Sequence, residues 1–445
     1  MDYKGGIKLI YEKKFVLNED ELTDELLIGF INEHKSLNLR YEELERMYKS
    51  DHDILYEDEK PDYKPDNRLV VNFAKYIVDT FNGYFMGIPV KTSHSNKKVS
   101  DSIQFLEAYN NLDDNNAELS KKCDIYGHAY ELIYYDENSQ IGITGVDPRE
   151  AFLIYDNSIR ERVLYGIRYK EDSSKEINGS ISDANKIRYF RIKDGKVIYE
   201  EEKPNVFGEV PIVEYVENEE RQGAFEPVEL LINAYNKAIS EKANDVDYFA
   251  DAYMKILGAE LKEEDLLKIK RNRIINLANF DDSKITVEFM EKPNADKTQE
   301  NLIDRMEKLI FTIAMVANIN DENFGTSSGI ALKYKLQSMS NLANTKERKF
   351  VKGMNKRFSI IANAPTSKIT KDDLVDLTYQ FTRNIPSNLL EEAQTAQQLV
   401  DIVSDETVLK TLSVVENVQE ELDKIKEQDL PIVEYDHERF EEDRT

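Results

Sequence analysis

The segment from Asp296 to Arg357 constrains the fold of this 445-residue chain more than any other. It combines an apolar helix, a short polar loop and a long basic helix. Steps of three and four residues give the first helix one apolar face, formed by Leu302, Met306, Leu309, Ile313 and Ala317. Turn-forming residues from Asn318 to Ser328 then interrupt the helical period. Ser327 or Ser328 can cap the second helix, which is predicted to open at Gly329.

The second helix carries a strong positive charge in an acidic chain. Between Gly329 and Phe358 there are eight Lys or Arg residues and one acid, Glu347, which is a local net charge of +7. The whole chain has 59 basic and 86 acidic residues, a net charge of −27. A single basic helix is usually a solvated face, but this segregation indicates a surface that meets an acidic partner, either another copy or a polyanion. The negative total argues against a groove that wraps DNA, since DNA affinity comes from phosphate neutralisation, but not against a wall that DNA slides past.

Residues suited to metal binding or nucleophilic catalysis are sparse. The single cysteine, Cys123, excludes an intrachain disulfide, and the five histidines have no metal-ligand spacing. The chain contains no Gly-x-x-x-x-Gly-Lys-Ser/Thr phosphate loop. Its longest uncharged apolar stretch, Leu309–Ile319, is shorter than the roughly 20 residues that cross a bilayer. We therefore expect a soluble protein from a reducing compartment, without a membrane segment, metal, cofactor or catalytic site.

Helical and strand patterns occur in separate blocks, which is typical of an α+β protein. The first 126 residues predict an amphipathic helix over 20–37, a second, charged helix after it to about residue 50, and helices from Asn67 as cap to about 86, over 100–109 and over 116–126, with a short strand at 89–92. A β-meander follows, with strands at 129–135, 141–146, 152–155, 163–169, 187–192, 196–200 and 210–215. Beyond the segment 296–357 we predict a strand at 374–382 and small helices over 387–426.

Two long helices bracket a small insert. The first runs from Pro227 to Gly258, is about 45 Å long by the helical rise, and carries acids on the face opposite its apolar stripe. The second runs from Lys297 to Ile319. The insert between them is too small to cover both apolar stripes, so we expect the helices to pack on each other and on those of neighbouring copies. Repeated head to tail, such contacts close a ring, and the acidic residues would line its channel.

The chain resembles the portal proteins of tailed bacteriophages, in the siphophage branch. Four blocks carry the resemblance: Asn67–Pro89, Phe207–Val213, Leu231–Ser240 and Ser328–Leu336. They occur in the family's order with similar gaps and cover most of the chain. The resemblance implies the phage portal fold, which is mainly helical, with long stem helices, an α/β clip insert and a wing that contains antiparallel β-structure.

The resemblance also implies a division of the chain into the family's parts. The implied parts are the wing (1–226), two stem helices (227–258 and 296–317), the clip (259–295), the tunnel loop (318–328), the long basic helix with the wing return (329–382), and the crown with an acidic tail (383–445). The crown is short for the family, so the resemblance does not extend to contacts between the crown and internal DNA.

The function implied by the resemblance is that of a conduit rather than a motor. About twelve copies would form a ring at one capsid vertex and pass double-stranded DNA during packaging and ejection. The clip would dock the terminase large subunit, which hydrolyses ATP, and later the head-completion adaptor. Scaffolding and major capsid proteins are further expected partners. The protein would belong to the virion and, during assembly, to the host cytoplasm.

Four sets of residues are candidates for these roles. The expected DNA-facing residues of the tunnel loop are Asn320, Asp321, Glu322 and Asn323. The expected channel-lining residues of the stem are Asp245, Asp247 and Asp251. The expected docking residues of the clip are Lys268, Lys270, Arg271 and Arg273. Lys333 and Lys335 would contact either DNA phosphates or a neighbouring subunit, and we favour the subunit because subunit contacts outnumber DNA contacts in such a ring.

Two other functions are compatible with parts of the sequence. A metal-dependent nuclease could use Asp245, Asp247 and Asp251, or Glu263, Glu264 and Asp265, to hold Mg²⁺. Such clusters arise by chance among 86 acids, and neither has the lysine and strand-end setting of a metal nuclease. A different oligomeric capsid or adaptor component would share the composition but would not need two long helices around an insert.

Overall fold

The structure is a computed structural model that describes residues 13–61, 64–250, 254–257, 286–289, 296–319, 334–385, 389–412, 414–415 and 418–428. The chain divides into two compact units. The larger unit comprises residues 1–326 and 332–383, and the smaller unit comprises residues 327–331 and 384–445.

The described residues contain helices and strands in separate blocks. The helices are α1 (Asp24–Tyr48), α2 (Phe73–Met86), α3 (Lys97–Tyr109), α4 (Leu112–Tyr126), α5 (Glu229–Ala250), α6 (Asp296–Ala314), α7 (Gln337–Ala362), α8 (Leu389–Leu399), α9 (Asp405–Leu409) and α10 (Val418–Gln428). The strands are β1 (Phe15–Leu17), β2 (Lys91–Ser93), β3 (His128–Tyr135), β4 (Ile141–Val146), β5 (Ala151–Asp156), β6 (Val163–Glu171), β7 (Ile177–Ser182), β8 (Lys186–Lys193), β9 (Lys196–Pro204), β10 (Ile212–Val216), β11 (Met254–Leu257), β12 (Thr286–Phe289) and β13 (Thr378–Gln380). This mixture agrees with the predicted α+β class.

The larger unit is built on two sheets. One has six strands in the order β1-β5-β6-β7-β8-β9, and the other has three in the order β10-β3-β4. All neighbours are antiparallel except β1, which pairs parallel to β5. Two small ladders, β2 with β13 and β11 with β12, are also antiparallel. The predicted meander is therefore confirmed as mostly antiparallel, but it is divided between two sheets.

Turn chemistry explains where the sheet strands begin. Gly127 ends α4 with φ +86°, and a Cβ there would lie 2.0 Å from the carbonyl oxygen of Arg221, so only glycine fits. Between β3 and β4, the Asp136 carboxylate accepts from the backbone N–H groups of Asn138 and Gln140 at 2.9 and 2.8 Å. These two turns set the register in which Ile133 faces Ile143 across the ladder.

The long helix α7 packs on the three-stranded sheet. The rings of Phe350 on α7 and Tyr215 on β10 have centroids 4.8 Å apart, and both side chains are fully buried. Gly353 allows this close approach, because an added Cβ would meet two carbons of the Tyr215 ring at 2.5 Å. A hydrophobic cluster that includes Leu153 on β5 and Ile212 on β10 joins the two sheets.

Three predicted helix boundaries are wrong. The first long helix ends at Ala250 rather than Gly258, and Met254–Leu257 is the strand β11, because this segment pairs with the distant Thr286–Phe289. The second long helix ends at Ala314, where Met315 takes the left-handed φ of +58°. The helix predicted from residue 20 is one continuous helix through Tyr48 rather than two.

The N-terminal cap of α2 also differs from the prediction. Asn72, not Asn67, caps α2, and its side chain accepts from the backbone N–H of Lys75 at 2.8 Å. Asn67 instead contacts α5: its backbone N–H donates to Asn244 Oδ1 at 2.6 Å. Ser327 and Ser328, the predicted caps of the basic helix, lie outside the described residues.

The smaller unit contains α8, α9 and α10 in its described part, and the short α9 packs against both of its neighbours. Small helices were predicted over this segment, and that expectation is confirmed. Ser404 precedes α9, where Asp405 and Glu406 occupy the first turn, as the helix dipole favours.

Candidate subunit contacts and channel residues

The helices α5 and α6 pack on each other, as the sequence predicts. Gln299 Nε2 on α6 donates to Asp245 Oδ2 on α5 at 3.2 Å, and Lys242 of α5 forms an ion pair with Glu300 of α6. Ile232 on α5 and Ile310 on α6 are fully buried. The pair is therefore joined by both polar and apolar contacts within one chain.

Helix α6 carries two apolar stripes, and the predicted one is largely the exposed one. The residues packed inward are Ile303, Met306, Ile310 and Ala314. Leu302, Leu309 and Ile313 face solvent with exposed fractions of 53%, 37% and 45%. Of the predicted apolar face, Met306 is buried within the chain, whereas Leu302, Leu309 and Ile313 are exposed, because residues 303, 310 and 314 form a second stripe about 100° around the helix. We call Leu302, Leu309 and Ile313 the α6 outer stripe.

The end of α6 is held by aromatic side chains of α2. The Phe311 ring lies edge-on to both Phe73 and Tyr76, with centroid distances of 5.6 and 5.4 Å. The backbone N–H of Ile319 donates to the Tyr76 hydroxyl at 2.8 Å. The chain is thus anchored immediately before the predicted tunnel-loop residues 320–323, which lie outside the described residues.

The predicted acidic lining of α5 does not form a single face. Asp245 points toward α6, where it accepts the hydrogen bond from Gln299. Asp247, two residues later, is exposed on another side and accepts from Asn67 Nδ2 at 2.6 Å. Asp251 lies outside the described residues. Because two residues along a helix turn a side chain by about 200°, Asp245 and Asp247 lie on different faces of α5.

The basic helix α7 buries two of its cations completely. Lys346 Nζ lies 2.6 Å from Asp124 Oδ1 on α4 and 2.9 Å from Glu217 Oε2 after β10. Burial alone would lower the pKa of Lys346, but the two carboxylates outweigh it and hold that pKa above its usual value. Burial also works against ionisation of Asp124 and raises the pKa of that carboxyl, and the Lys346 ammonium opposes this rise. The ammonium therefore keeps its charge inside the fold.

Arg357 forms the second buried cluster, three helical turns further along α7. Its guanidinium donates to both carboxylate oxygens of Glu131 on β3, at 2.6 and 2.8 Å, and to Asn116 Oδ1 at 2.7 Å. Burial opposes the charge, yet Glu131 keeps the pKa of Arg357 above its usual value. This two-pronged geometry suits arginine rather than lysine. The two clusters tie α7 to α4, β3 and β10.

Positive charge on α7 is thus largely matched by acids of the same chain. Lys349 and Lys356 at the helix margin also form ion pairs, with Glu219 and Glu209. The expectation of an external acidic partner is wrong for Lys346 and Arg357. A sequence signal existed, since both share a helical face with the large apolar residue Phe350.

The remaining predicted site residues are mostly outside the described part of the chain. Lys335 is exposed just before α7, and Lys333 is not described. The clip residues Lys268, Lys270, Arg271 and Arg273 are also outside the described residues. Where the chain is described, no group of three or more His, Cys, Asp or Glu residues could hold a metal. No helix within the described ranges is long and apolar enough to span a membrane.

Comparison with known proteins gives a consistent result over most of the chain. The family model described as "Phage portal protein, SPP1 Gp6-like" matches residues 29–432. A portal protein of Clostridium phage phiCD119 is 25% identical over 400 residues, which are 82% of this chain and 85% of that protein. A portal protein of Bacillus phage SPP1 is 24% identical over 394 residues, which are 82% of this chain and 77% of that protein.

Proposed function

We propose that copies of this chain form a ring at one vertex of the phage capsid. The proposal rests on the family: this chain belongs to the SPP1 Gp6-like phage portal proteins. Double-stranded DNA passes through this ring during packaging and ejection. Phage portal proteins are structural components of the virion rather than enzymes, and the names of both relatives carry no enzymatic activity. A ring of about twelve copies, closed by head-to-tail contacts, is the arrangement we expect.

The α6 outer stripe is the observation that supports assembly most directly. Its three side chains lie on one line of a long helix whose other side is already packed within the chain. Together they expose about as much apolar surface as one and a third fully exposed side chains. Burying this surface against another copy would stabilise each subunit contact by roughly 2–4 kcal/mol. An apolar line of this kind on a helical pair suits the same helices of a neighbouring copy.

The channel residues follow from this arrangement. Of the two predicted stem aspartates that the structure describes, Asp247 is exposed and is our candidate for the channel wall, where a carboxylate repels DNA phosphates and keeps the duplex mobile. The loop residues 320–323 would narrow the bore. The clip at 259–295 would dock the terminase large subunit and then the head-completion adaptor through Lys268–Arg273. Scaffolding and major capsid proteins would surround the ring.

The test of the ring uses a substitution in the α6 outer stripe. Purified protein should form rings in native mass spectrometry and negative-stain microscopy, and Leu309→Asp with Ile313→Asp should leave monomers, because carboxylates would have to be buried between copies. Lys308→Asp is the matched control: it changes the net charge by the same −2 on an exposed face of α6 about 120° away. Rings from the double stripe variant would refute this contact.

The test of the channel uses the predicted loop. Asp321→Lys with Glu322→Lys would place cations where DNA slides, and we expect it to impair DNA packaging while rings still assemble. Packaging is measured as the fraction of DNA-filled heads, and assembly by microscopy of the same variant. A normal yield of filled heads would remove the loop from the proposed path.

A further inference from the structure

A cleft of about 690 Å³ lies between α7, β10 and the β5–β6 hairpin of the larger unit. Seven Lys or Arg residues and four Glu residues line it, which is a net charge of +3 in a chain whose total is −27. Its apolar floor includes Leu153, Val163, Val210 and Ile212. The cleft therefore combines a positively charged rim with an apolar floor.

Not every rim cation is matched within the chain. Arg221 forms two hydrogen bonds of 2.8 Å with Glu214, and Lys349 pairs with Glu219. Arg160 and Lys352 are exposed, and neither forms an ion pair within 4.0 Å among the described residues, although Lys352 is close enough to Glu219 to help Lys349 lower the pKa of that carboxyl. These two side chains are available to an anionic partner.

The combination of rim and floor favours a short acidic peptide that carries an aromatic or aliphatic side chain. A DNA backbone would use the cations but would gain nothing from the apolar floor. A peptide segment can pair its acids with the unmatched cations and bury its apolar side chain at the base.

The chain itself presents such a segment at Tyr56–Glu59. Tyr56 is 68% exposed, and Glu57, Asp58 and Glu59 after it are all exposed. In its own chain the segment is held beside α5, where Lys237 Nζ lies 3.2 Å from Glu57 Oε1. No residue of α5 or of this segment lines the cleft in the described part of the chain. The two surfaces of one copy are therefore separate.

We propose that the Tyr56–Glu59 segment of one copy docks in the cleft of the next copy, with Tyr56 on the apolar floor and the acids facing Arg160 and Lys352. This contact rests on the proposed ring. It joins two different surfaces, as a head-to-tail ring requires. Its charges would orient neighbouring copies, whereas the α6 outer stripe would supply the apolar contact.

Charge reversal on each side tests this pairing. Arg160→Glu with Lys352→Glu and, separately, Asp58→Lys with Glu59→Lys should each weaken ring assembly about tenfold in analytical ultracentrifugation, because like charges would face each other. The protein with all four substitutions should recover assembly. Rings unaffected by either pair, or no recovery in the fourfold variant, would overturn the pairing.

Two controls separate this inference from the ring itself. Lys97→Glu with Lys175→Glu reverses two exposed lysines outside the cleft and should leave assembly unchanged. Circular dichroism melts check that each variant folds. If the unmodified chain forms no rings, the ring proposal fails. If the cleft variants form normal rings, only the docking inference fails.

A disulfide trap tests the same contact by geometry. Lys352→Cys with Asp58→Cys should give a ladder of disulfide-linked copies on a non-reducing gel, because the natural Cys123 is fully buried and does not compete. Each single substitution should give no ladder. An absent ladder from assembled rings would overturn the inference. So would binding of a short DNA duplex to the unmodified protein that is lost in the Arg160→Glu, Lys352→Glu variant, since DNA would then be the occupant.

Discussion

Replacement of Lys346 by methionine should destabilise the larger unit strongly. The Lys346 ammonium forms ion pairs with two carboxylates, Asp124 at 2.6 Å and Glu217 at 2.9 Å. The side chains of all three residues are at most 2% exposed. Methionine keeps the length and fills most of the volume, so the loss is mainly electrostatic. Breaking a buried ion pair by removing one partner costs roughly 3–5 kcal/mol, and we expect about 4 kcal/mol in Lys346→Met at pH 8.

The loss in this variant should depend on pH in a definite direction. Without the cation, burial raises the pKa of Asp124 further, so in the folded state this carboxyl holds a proton that the unfolded chain releases. A carboxyl group whose pKa is higher in the folded than in the unfolded state stabilises the folded state at low pH. This contribution to the free energy of unfolding is lost as the pH rises through the folded-state pKa. As the pH falls, the deficit of Lys346→Met relative to the unmodified protein should therefore shrink by roughly 1.4 kcal/mol for each pH unit in which Asp124 is protonated in the folded variant but ionised in the folded unmodified protein and in the unfolded chain.

Urea unfolding followed by circular dichroism at pH 5 and pH 8 measures both quantities. Lys346→Met combined with Asp124→Asn should recover part of the loss at pH 8, because one buried charge is gone. Lys349→Met is the matched control, since its ion pair with Glu219 is partly exposed and should contribute less than about 1 kcal/mol. A deficit below 1 kcal/mol, or one equal at both pH values, would refute the buried-charge reasoning.

Two further substitutions test packing and titration. Gly353→Ala would push a methyl group to 2.5 Å from the buried Tyr215 ring and should cost about 1–3 kcal/mol in urea unfolding, whereas an unchanged midpoint would mean that the ring can move. Burial and the neighbouring Glu43 raise the pKa of Glu229 to about 8, so its contribution to stability is lost as the pH rises from about 4.5 toward 8. Glu229→Gln should remove that loss and melt higher than the unmodified protein at pH 8 but not at pH 5; equal melting temperatures at pH 8 would contradict the assignment.

The strands could be predicted where alternation and turn residues agree. The prediction of 141–146 matches β4, and 129–135 differs from β3 by one residue, because clear turns bound both segments. The strand β7, Ile177–Ser182, was missed, since it has only two large apolar residues among Asn, Gly and Ser. It forms because β6 and β8 pair with it on both sides. Its stability is non-local.

The packing of α6 could be predicted only in part for a similar reason. The sequence contains two apolar stripes on this helix, and helical periodicity cannot decide which is buried. The contacts of Phe311 with Phe73 and Tyr76 on α2 decide it, and those residues are more than two hundred positions away. The pairing of Lys346 and Arg357 with buried acids was likewise not visible, because partners on other elements do not follow from local charge counts.

The two proposed subunit contacts should have different effects on the ring: the α6 outer stripe should stabilise it, and the charged cleft should direct its assembly. The α6 outer stripe offers apolar area, whose burial is nearly independent of salt, whereas the cleft offers unmatched charges, which act mainly on encounter and orientation and are screened by salt. Raising NaCl from about 0.1 M to about 0.5 M should therefore slow ring formation from monomers severalfold but leave preformed rings intact. Light scattering after mixing and ultracentrifugation of preformed rings measure the two effects. Preformed rings that fall apart at the higher salt would show that charge, not the apolar stripe, supplies most of the subunit contact.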